Sequence, residues 1–330
     1  MPSLRSGKFV SLTGFALLII TTLTLFLLNF LEALDYDYFL LLTVINLIAF
    51  GGLVYETKLE FRNIINLKFP FKFSKNDAYN FAAVVLGAVA TFHISNTLNL
   101  GPVTSAGLTG LTASVIFPRH DVPAYCGAFV GMSCPIAFTC YPCLLAAAAI
   151  AGVLFVISKN TLNGFGGKLG TIAFFGAVAT MCITGRAGEP GNMPGLNTGI
   201  YIIAYSVFAA ISTFVISIRL GKGPVFASSL IGLLGGLLLP GIYPQFGGML
   251  GVIVICASFA GMSSPERITT NLQMVTAGII SGIFFIYTLA HFPGAGGKLG
   301  TIAFMSCIAV RGCVDLYWKA RSGLRAPRRL

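Results

Sequence analysis

Long apolar runs alternate with short polar segments along the whole chain. Most of these runs are about 17 to 23 residues long, which is the length that an α-helix needs to cross a bilayer. The first run is longer than the core of a signal peptide and precedes no small-residue cleavage site, so it is interpreted as a retained helix. The pattern predicts twelve spanning helices, near residues 10–31, 38–55, 79–97, 101–117, 122–140, 143–157, 167–184, 199–218, 223–239, 246–264, 270–291 and 299–313.

The composition indicates a membrane as the solvent of this chain. Hydrophobic residues make up 56% of it, charged residues only 9%, and the mean hydropathy is +0.87. Soluble domains carry charge on about a quarter of their residues. The net charge of +11 does not indicate nucleic-acid binding, because the basic residues lie in short loops and tails. We therefore expect the lipid bilayer as a partner and no nucleic acid.

Three sequence blocks occur twice and in the same order, which indicates an internal duplication. Gly-x-Gly-Gly-Lys-Leu-Gly-Thr-Ile-Ala-Phe begins at Gly164 and again at Gly294, an offset of 130 residues. Cys-x-x-Phe-x-Gly-Met-Ser-x-Pro begins at Cys126 and at Cys256, with the same offset of 130. A third block opens with Gly-Pro-Val at residue 101 and recurs at an offset of 122.

The distribution of positive charge predicts how the helices are oriented. With twelve spans and a cytoplasmic N-terminus, nineteen of the 21 basic residues are cytoplasmic, and only Arg186 and Lys298 lie outside. The run at 101–117 is rich in Gly, Ser and Thr and could instead dip into the membrane and return, as could its copy at 223–239. In that alternative, fifteen basic residues are cytoplasmic and six lie outside, so the charge distribution favours twelve spans. We expect both termini to be cytoplasmic in a multi-pass protein of the plasma membrane, the inner membrane of a bacterium.

These features predict an all-α integral membrane protein of about twelve transmembrane helices. Two N-terminal helices and a basic cytoplasmic loop occupy 1–77, the first repeat 78–190, the second repeat 191–313, and a basic cytoplasmic tail 314–330. Because each repeat contains five helices, an odd number, the second copy is expected to be inverted. Five-plus-five inverted repeats with a substrate site at their interface recur among transporters.

The Gly-Gly-Lys turns that open the seventh and twelfth helices are the first candidates for substrate binding. A helix N-terminus offers free N–H donors and a partial positive charge, glycines let a ligand approach closely, and lysine adds a full charge. This combination favours an anion such as a carboxylate or an oxyanion. The alternative is that the lysines reach towards water while the glycines serve helix packing. The candidate residues are Gly166, Gly167, Lys168, Gly296, Gly297 and Lys298.

Polar residues inside the spans supply the other candidates for substrate binding. A proline follows Ser133 and Ser263 and predicts a helix end or kink, where each serine either binds the solute or satisfies its own helix. Ser105 and Thr109 lie in a run that is polar on several sides, which predicts a helix that lines the central cavity. His93 lies deep in a predicted span and is either a proton-linked group or a hydrogen-bonded packing residue.

The sequence contains no constellation that indicates catalysis, a metal or a cofactor. All ten acidic residues fall in loops or at the ends of the predicted helices, which argues against a carboxylate proton relay. Cys140 and Cys143 have the spacing of a metal or redox pair. No second pair or nearby pair of histidines completes a zinc site, so packed core thiols are the preferred interpretation.

The leading hypothesis is a secondary transporter or facilitator for a small anionic or polar solute, with its site between the two repeats. A passive channel is the alternative of the same class, and saturation and counterflow would distinguish the two. A subunit of a membrane complex or a membrane-embedded lipid enzyme is the alternative of another class. The substrate, the coupling ion, the direction of transport and a homo-oligomeric state stay open.

Overall fold

The computed structural model describes residues 2–35, 38–66, 71–138, 140–189 and 194–322. The regular elements of this part are all helices, and a π-helical turn at Val215–Arg219 continues the eighth of them. Of the predicted basic tail, residues 323–330 lie outside the described part. The described α-helices are α1 (Pro2–Ala33), α2 (Phe39–Ile65), α3 (Lys75–Thr97), α4 (Pro102–Ile116), α5 (Asp121–Gly131), α6 (Tyr141–Ile157), α7 (Lys168–Thr184), α8 (Leu196–Phe214), α9 (Pro224–Ile242), α10 (Gly247–Gly261), α11 (Asn271–Tyr287) and α12 (Lys298–Ser322).

Six of the described helices are long and apolar enough to cross a membrane. Large apolar side chains cover the outside of the bundle, where Leu40 is 70% exposed, Leu86 69% and Leu47 59%. A water-soluble monomer rarely exposes large contiguous apolar patches. The architecture is therefore that of a helical multi-pass membrane protein, as the apolar runs predict. The six segments are Gly7–Ala33, Phe39–Ile65, Lys75–Thr97, Asn197–Arg219, Pro224–Ile242 and Lys298–Arg321.

Helices α2 and α12 are longer than the apolar runs that predict them. Beyond residue 55, α2 carries Glu56 and Glu60, whose buried carboxylates lie 3.2 and 2.7 Å from the guanidinium of Arg267. Beyond residue 313, α12 continues with Asp315, which pairs with Arg311 one turn earlier at 3.0 Å. A criterion based on apolar length ends near the first charges, whereas these helices continue through charged residues, three of which are carboxylates paired with arginines.

The proline-containing blocks end and begin helices as the sequence predicts. Helix α5 ends at Gly131 and α10 at Gly261, shortly before the proline of each block, so α5 is shorter than the predicted run. Helices α4 and α9 begin at Pro102 and Pro224, where the missing N–H removes no helical hydrogen bond. Gly223 precedes α9 with a φ of 84°, a conformation that favours glycine.

Helices α7 and α12 cross in direct backbone contact near their N-terminal ends. A β-carbon on Gly170 would collide with the Cα atom of Gly300, and the reverse also holds. On either side of this contact, Gly167 lies against the second turn of α12 and Gly297 against the second turn of α7. The two helices are therefore antiparallel where they cross, and their first turns lie side by side.

Ion pairs and hydrogen bonds define one end of the bundle, here called end A. Asp77 at the start of α3 lies 2.7 Å from Lys159 after α6, and Glu60 of α2 lies 2.7 Å from Arg267 after α10. Asn163 joins the two pairs, because its side chain donates to the Lys159 carbonyl and its own carbonyl accepts from Arg267, both at 2.8 Å. The structure thus brings Lys159 and Arg267 to the same end, as the predicted topology requires.

The opposite end of the bundle is called end B. Here His291, between α11 and α12, lies 3.3 Å from the carboxylate of Glu32 at the end of α1. The N–H of Gly188, after α7, donates to the carbonyl of Pro293 at 2.9 Å. The end of α3 and the start of α6 also meet here, since His93 contacts the Tyr141 hydroxyl at 3.1 Å.

Candidate functional site

Two cavities enter the bundle from its opposite ends. Cavity A, of about 450 Å³, is lined by Lys159 and Asn163 of end A and by the turn at residues 164–169. Cavity B, of about 490 Å³, is lined by Asn96 and Asn99 at the end of α3 and by the turn at residues 294–299. Each cavity therefore reaches one of the two Gly-Gly-Lys turns that the sequence singles out.

Each cavity is built from both sequence copies. The turn in cavity A belongs to the first copy, while Met262 and Pro224 in its wall belong to the second. Cavity B has the opposite composition, with the turn of the second copy and with Met132 and Pro102 of the first. Met132 and Met262 are equivalent at the offset of 130, and Pro102 and Pro224 are equivalent at the offset of 122. Both cavities thus lie at the contact between the copies.

The ammonium group of Lys168 is bound by the loop between α6 and α7, residues 158–167, which is called the tip of this hairpin. Its Nζ atom donates to the backbone carbonyls of Ser158 and Thr161 at 2.8 and 2.5 Å, and to Oδ1 of Asn163 at 2.8 Å. Ser158 is the C-cap of α6, where the last helical carbonyls have no helical partner and the helix dipole is negative. The lysine thus folds back to close the preceding helix rather than reaching into bulk water.

Lys298 makes the equivalent contacts in the second copy. Its Nζ atom donates to the carbonyls of Thr288 and His291 at 3.1 and 2.8 Å. Thr288 is the C-cap of α11, as Ser158 is of α6, and the two caps differ by the same 130 residues. Two separate parts of the chain have therefore formed one arrangement, in which a lysine caps one helix and begins the next.

The electrostatic character of both cavities is cationic. Among the described residues, no carboxylate lines either cavity, although the negative charge of Glu60 acts on Lys168. Lys159 also lines cavity A, but its charge is paired with Asp77. The positive ends of α7 and α12 add to the field of the two lysines. A small anion is the ligand that such walls attract.

The glycines of the two turns allow a close approach between the copies. Gly167 and Gly297 have φ values of 85° and 84°, in the left-handed region that strains other residues. A β-carbon on Gly166 would collide with the carbonyl of Phe259, and one on Gly296 with that of Phe129. The helix-packing role that the sequence offered as an alternative is therefore present for all four candidate glycines.

The two serines link each turn to the opposite copy. The Ser133 hydroxyl donates to the Val130 carbonyl at 2.7 Å and accepts from the Gly296 N–H at 3.0 Å. Ser263 makes the same two bonds at 2.8 and 3.0 Å in the other copy. Each serine thus satisfies its own helix, as one of the predicted alternatives states, and also anchors a Gly-Gly-Lys turn. Ser133 lines cavity B, whereas Ser263 is buried behind the wall of cavity A.

A buried aromatic contact between the two copies forms part of the wall of cavity A. The rings of Phe129 and Phe259 have centroids 4.4 Å apart, and these residues are equivalent at the 130-residue offset. Tyr125 packs on Phe129 with a centroid distance of 4.3 Å, and its hydroxyl lies 3.1 Å from Ser228. The cluster and the α7–α12 crossing are both contacts between the two copies.

The remaining candidates lie away from the two cavities. Ser105 is buried and donates to the carbonyl of Gly101 at 2.7 Å, within its own helix. Thr109 accepts from the Thr91 hydroxyl at 2.9 Å and lines a separate, largely apolar groove between α3, α4 and α5. His93 is exposed near the last turn of α3. These three residues do not join the lysines in one site.

Sequence reasoning missed three contributors to the site. Asn163 binds Lys168, but a single asparagine in a polar loop has no distinguishing pattern. Phe129 and Phe259 could have been found, because they are the invariant aromatic positions of the Cys-x-x-Phe-x-Gly-Met-Ser-x-Pro block. The hydroxyls of that block indicate a polar site, whereas its aromatic rings do not.

The interpretation of Cys140 and Cys143 as packed core thiols is wrong for the first of them. Cys140 is exposed, and Cys143 is only half-buried. Their Sγ atoms lie 3.0 Å apart at the start of α6. Within the described part of the chain, no group of three or more His, Cys, Asp or Glu side chains could hold a metal ion.

Comparison with known proteins adds nothing to this geometry. The chain matches no family model, no curated protein and no solved structure. The assignment of a function therefore rests on the two cavities and on the residues that line them.

Proposed function

We propose that this protein transports a small anion across the membrane, and that it binds the anion in cavities A and B between two inverted five-helix copies. The copies comprise α3–α7 and α8–α12, and α1 and α2 are an addition to them. In this proposal, end A and both termini face the cytoplasm of a cell whose plasma membrane contains the protein.

The positions of the two lysine turns support the inversion. The Lys168 turn contacts residues of end A, and the equivalent Lys298 turn contacts residues of end B. The antiparallel crossing at Gly170 and Gly300 is the relation that a half-turn about an axis in the membrane plane would produce between the two turns. Equivalent parts of an inverted duplication face opposite sides of the membrane, which gives such transporters two equivalent openings even where the parts meet at the centre.

The observation that carries the proposal is the pair of matched cavities with lysine as their charged wall residue and no described carboxylate. The ammonium groups of Lys168 and Lys298 donate their hydrogen bonds within their own hairpins, so in this proposal they attract the anion by charge. The N–H groups at the start of α7 and α12 would supply the hydrogen bonds to it. We expect the aromatic contact and the α7–α12 crossing to block a continuous path between the cavities, which favours a carrier that opens alternately over an open pore.

Flux measurements in liposomes test this proposal. The purified full-length chain, reconstituted without other proteins, is expected to take up small anions such as chloride, nitrate and acetate, and to exclude potassium and uncharged sugars. Saturation and counterflow are expected for a carrier. Linear uptake without counterflow would identify a channel, and anion uptake no faster than in empty liposomes would refute the proposal.

The aromatic barrier leads to a prediction about leak. Phe259→Ala is expected to raise anion conductance several-fold, because it removes one ring of the contact that is expected to block the path between the cavities. Planar-bilayer recording measures this conductance. Phe155→Ala is the matched control, since Phe155 also lines cavity A but lies on α6. Equal conductance in the wild type and in Phe259→Ala would show that the barrier lies elsewhere.

A further inference from the structure

The start of α6 places two thiols side by side at end B. Cys140 is the N-cap residue of this helix, and Cys143 lies in its first turn. The backbone N–H of Cys143 donates to the carbonyl of Cys140 at 3.1 Å, which fixes the turn between them. The two Sγ atoms are 3.0 Å apart, and Cys140 is exposed.

The second copy shows that helix capping does not explain this pair. The equivalent residues at the 130-residue offset are Thr270 and Gln273, which start α11 at the opposite end of the bundle. There the Thr270 hydroxyl accepts the N–H of Gln273 at 3.3 Å, an ordinary N-cap bond. Cysteine is a poorer N-cap acceptor than threonine. The first copy therefore has two thiols where the second has a capping pair.

The surroundings of the pair act on its thiols in opposite directions. The N-terminus of α6 carries a partial positive charge that stabilises a thiolate. The neighbouring Cys140 thiol and partial burial oppose ionisation of Cys143, whereas the positive charge of Arg186 favours it. The other cysteines with described partners differ, since Cys126 and Cys256 are buried and donate to backbone carbonyls at 3.3 and 3.2 Å. Thiolate character and exposure together are what make a cysteine reactive.

We propose that Cys140 and Cys143 form a reversible dithiol–disulfide site that exchanges with disulfides at end B. A Cys140 thiolate attacks a small disulfide, forms a mixed disulfide and releases one thiol. The Cys143 thiolate then attacks the Cys140 sulfur, closes the intramolecular disulfide and releases the second thiol. Two electrons pass from the protein sulfurs to the small disulfide, and the two thiol protons end on the released thiols.

Which compartment end B faces rests on the orientation given in the proposed function. The chemistry of the pair does not depend on that orientation. In that orientation end B lies outside the cytoplasm, where disulfides form and persist. A strained or exposed disulfide is easier to reduce than a structural one. The site would then respond to the thiol–disulfide balance outside the cell.

The test exposes the purified full-length chain to oxidised glutathione and counts free thiols by alkylation and intact mass. The chain has eight cysteines, and we expect loss of two free thiols that dithiothreitol restores. Peptide mapping is expected to place the disulfide between Cys140 and Cys143. Cys140→Ser and Cys143→Ser should each abolish the disulfide, and Cys182→Ser, which removes another exposed thiol, should retain it.

Three results would overturn the proposal. These are no loss of thiols in the wild type, a stable glutathione adduct on Cys140 without a disulfide, and a disulfide that persists in Cys140→Ser. Peptide mapping uses the wild-type chain, so it decides the matter even where a variant does not fold. In intact cells, labelling of reduced Cys140 by a membrane-impermeant maleimide checks the orientation separately. Labelling only after permeabilisation would refute the proposed orientation and leave the dithiol site standing.

Discussion

Lys168→Met and Lys298→Met are each expected to lower anion flux about 10- to 100-fold, because each removes a unit charge near the bound anion. The attraction between unit charges about 4 Å apart lies between roughly 1 kcal/mol in water and 4 kcal/mol near a protein surface. Each substitution removes the lysine charge at a cavity that no described carboxylate lines. Methionine has nearly the same length and stays apolar, so the cavity volume changes little. Flux into liposomes, measured over a range of anion concentrations, gives the effect on affinity and on rate.

Two controls separate loss of the charge from loss of the fold. Lys222→Met removes an exposed lysine of end A outside both cavities and should leave flux unchanged. Lys168→Arg keeps the charge and should keep more flux than Lys168→Met. Because Lys168 also caps α6, each variant's thermal transition in detergent must be compared with that of the wild type. A folded Lys168→Met protein with wild-type flux would exclude cavity A from the transport path.

Gly170→Ala is expected to prevent the assembly of a stable fold. Its β-carbon would collide with the Cα atom of Gly300 and lie 3.0 Å from the Gly297 carbonyl oxygen and the Gly300 nitrogen. These are backbone atoms, so no side chain can rotate away. Overpacking costs about 1–3 kcal/mol in ordinary cores, and a contact with backbone on a central helix crossing should lie at or above that range. Thermal unfolding in detergent and monodispersity on size exclusion measure the loss.

Gly51→Ala is the matched control for this substitution. Gly51 also lies inside a predicted span and in a helix, but a β-carbon there would meet nothing within 4 Å. Alanine is the better helix former by roughly 0.5–1 kcal/mol, so this variant should be as stable as the wild type or slightly more stable. A Gly170→Ala protein as stable as Gly51→Ala would contradict the direct contact between α7 and α12.

The helices and the duplication could be predicted because they depend on local or repeated patterns. Apolar runs give each of the twelve helices, and the helix ends at Gly131 and Gly261 follow from the prolines of one repeated block. The extension of α2 could not be predicted in this way. It depends on Glu56 and Glu60 meeting Arg267, which is more than two hundred residues away in the chain.

The site was predicted in part. The Gly-Gly-Lys turns line two cavities. From the sequence, anion binding and helix packing are alternative roles for their glycines. The structure shows the packing contacts of these glycines. The capping of α6 by Lys168 could not be foreseen, because it depends on a tip that folds the lysine back onto Ser158. From the polarity of their helix, Ser105 and Thr109 are expected in the central cavity. In the structure their hydroxyls form hydrogen bonds with Gly101 and Thr91 instead.

The anchoring of each lysine to its own hairpin has an electrical consequence. Lys168 and Lys298 are held by the carbonyls of the helix that precedes them, so each ammonium group moves with its helix pair as one body. Displacing one elementary charge through the full field of a membrane changes its energy by about 2.3 kcal/mol per 100 mV. In the proposed carrier, a rearrangement that shifts one hairpin along the bilayer normal with its lysine charged would therefore depend on the membrane potential.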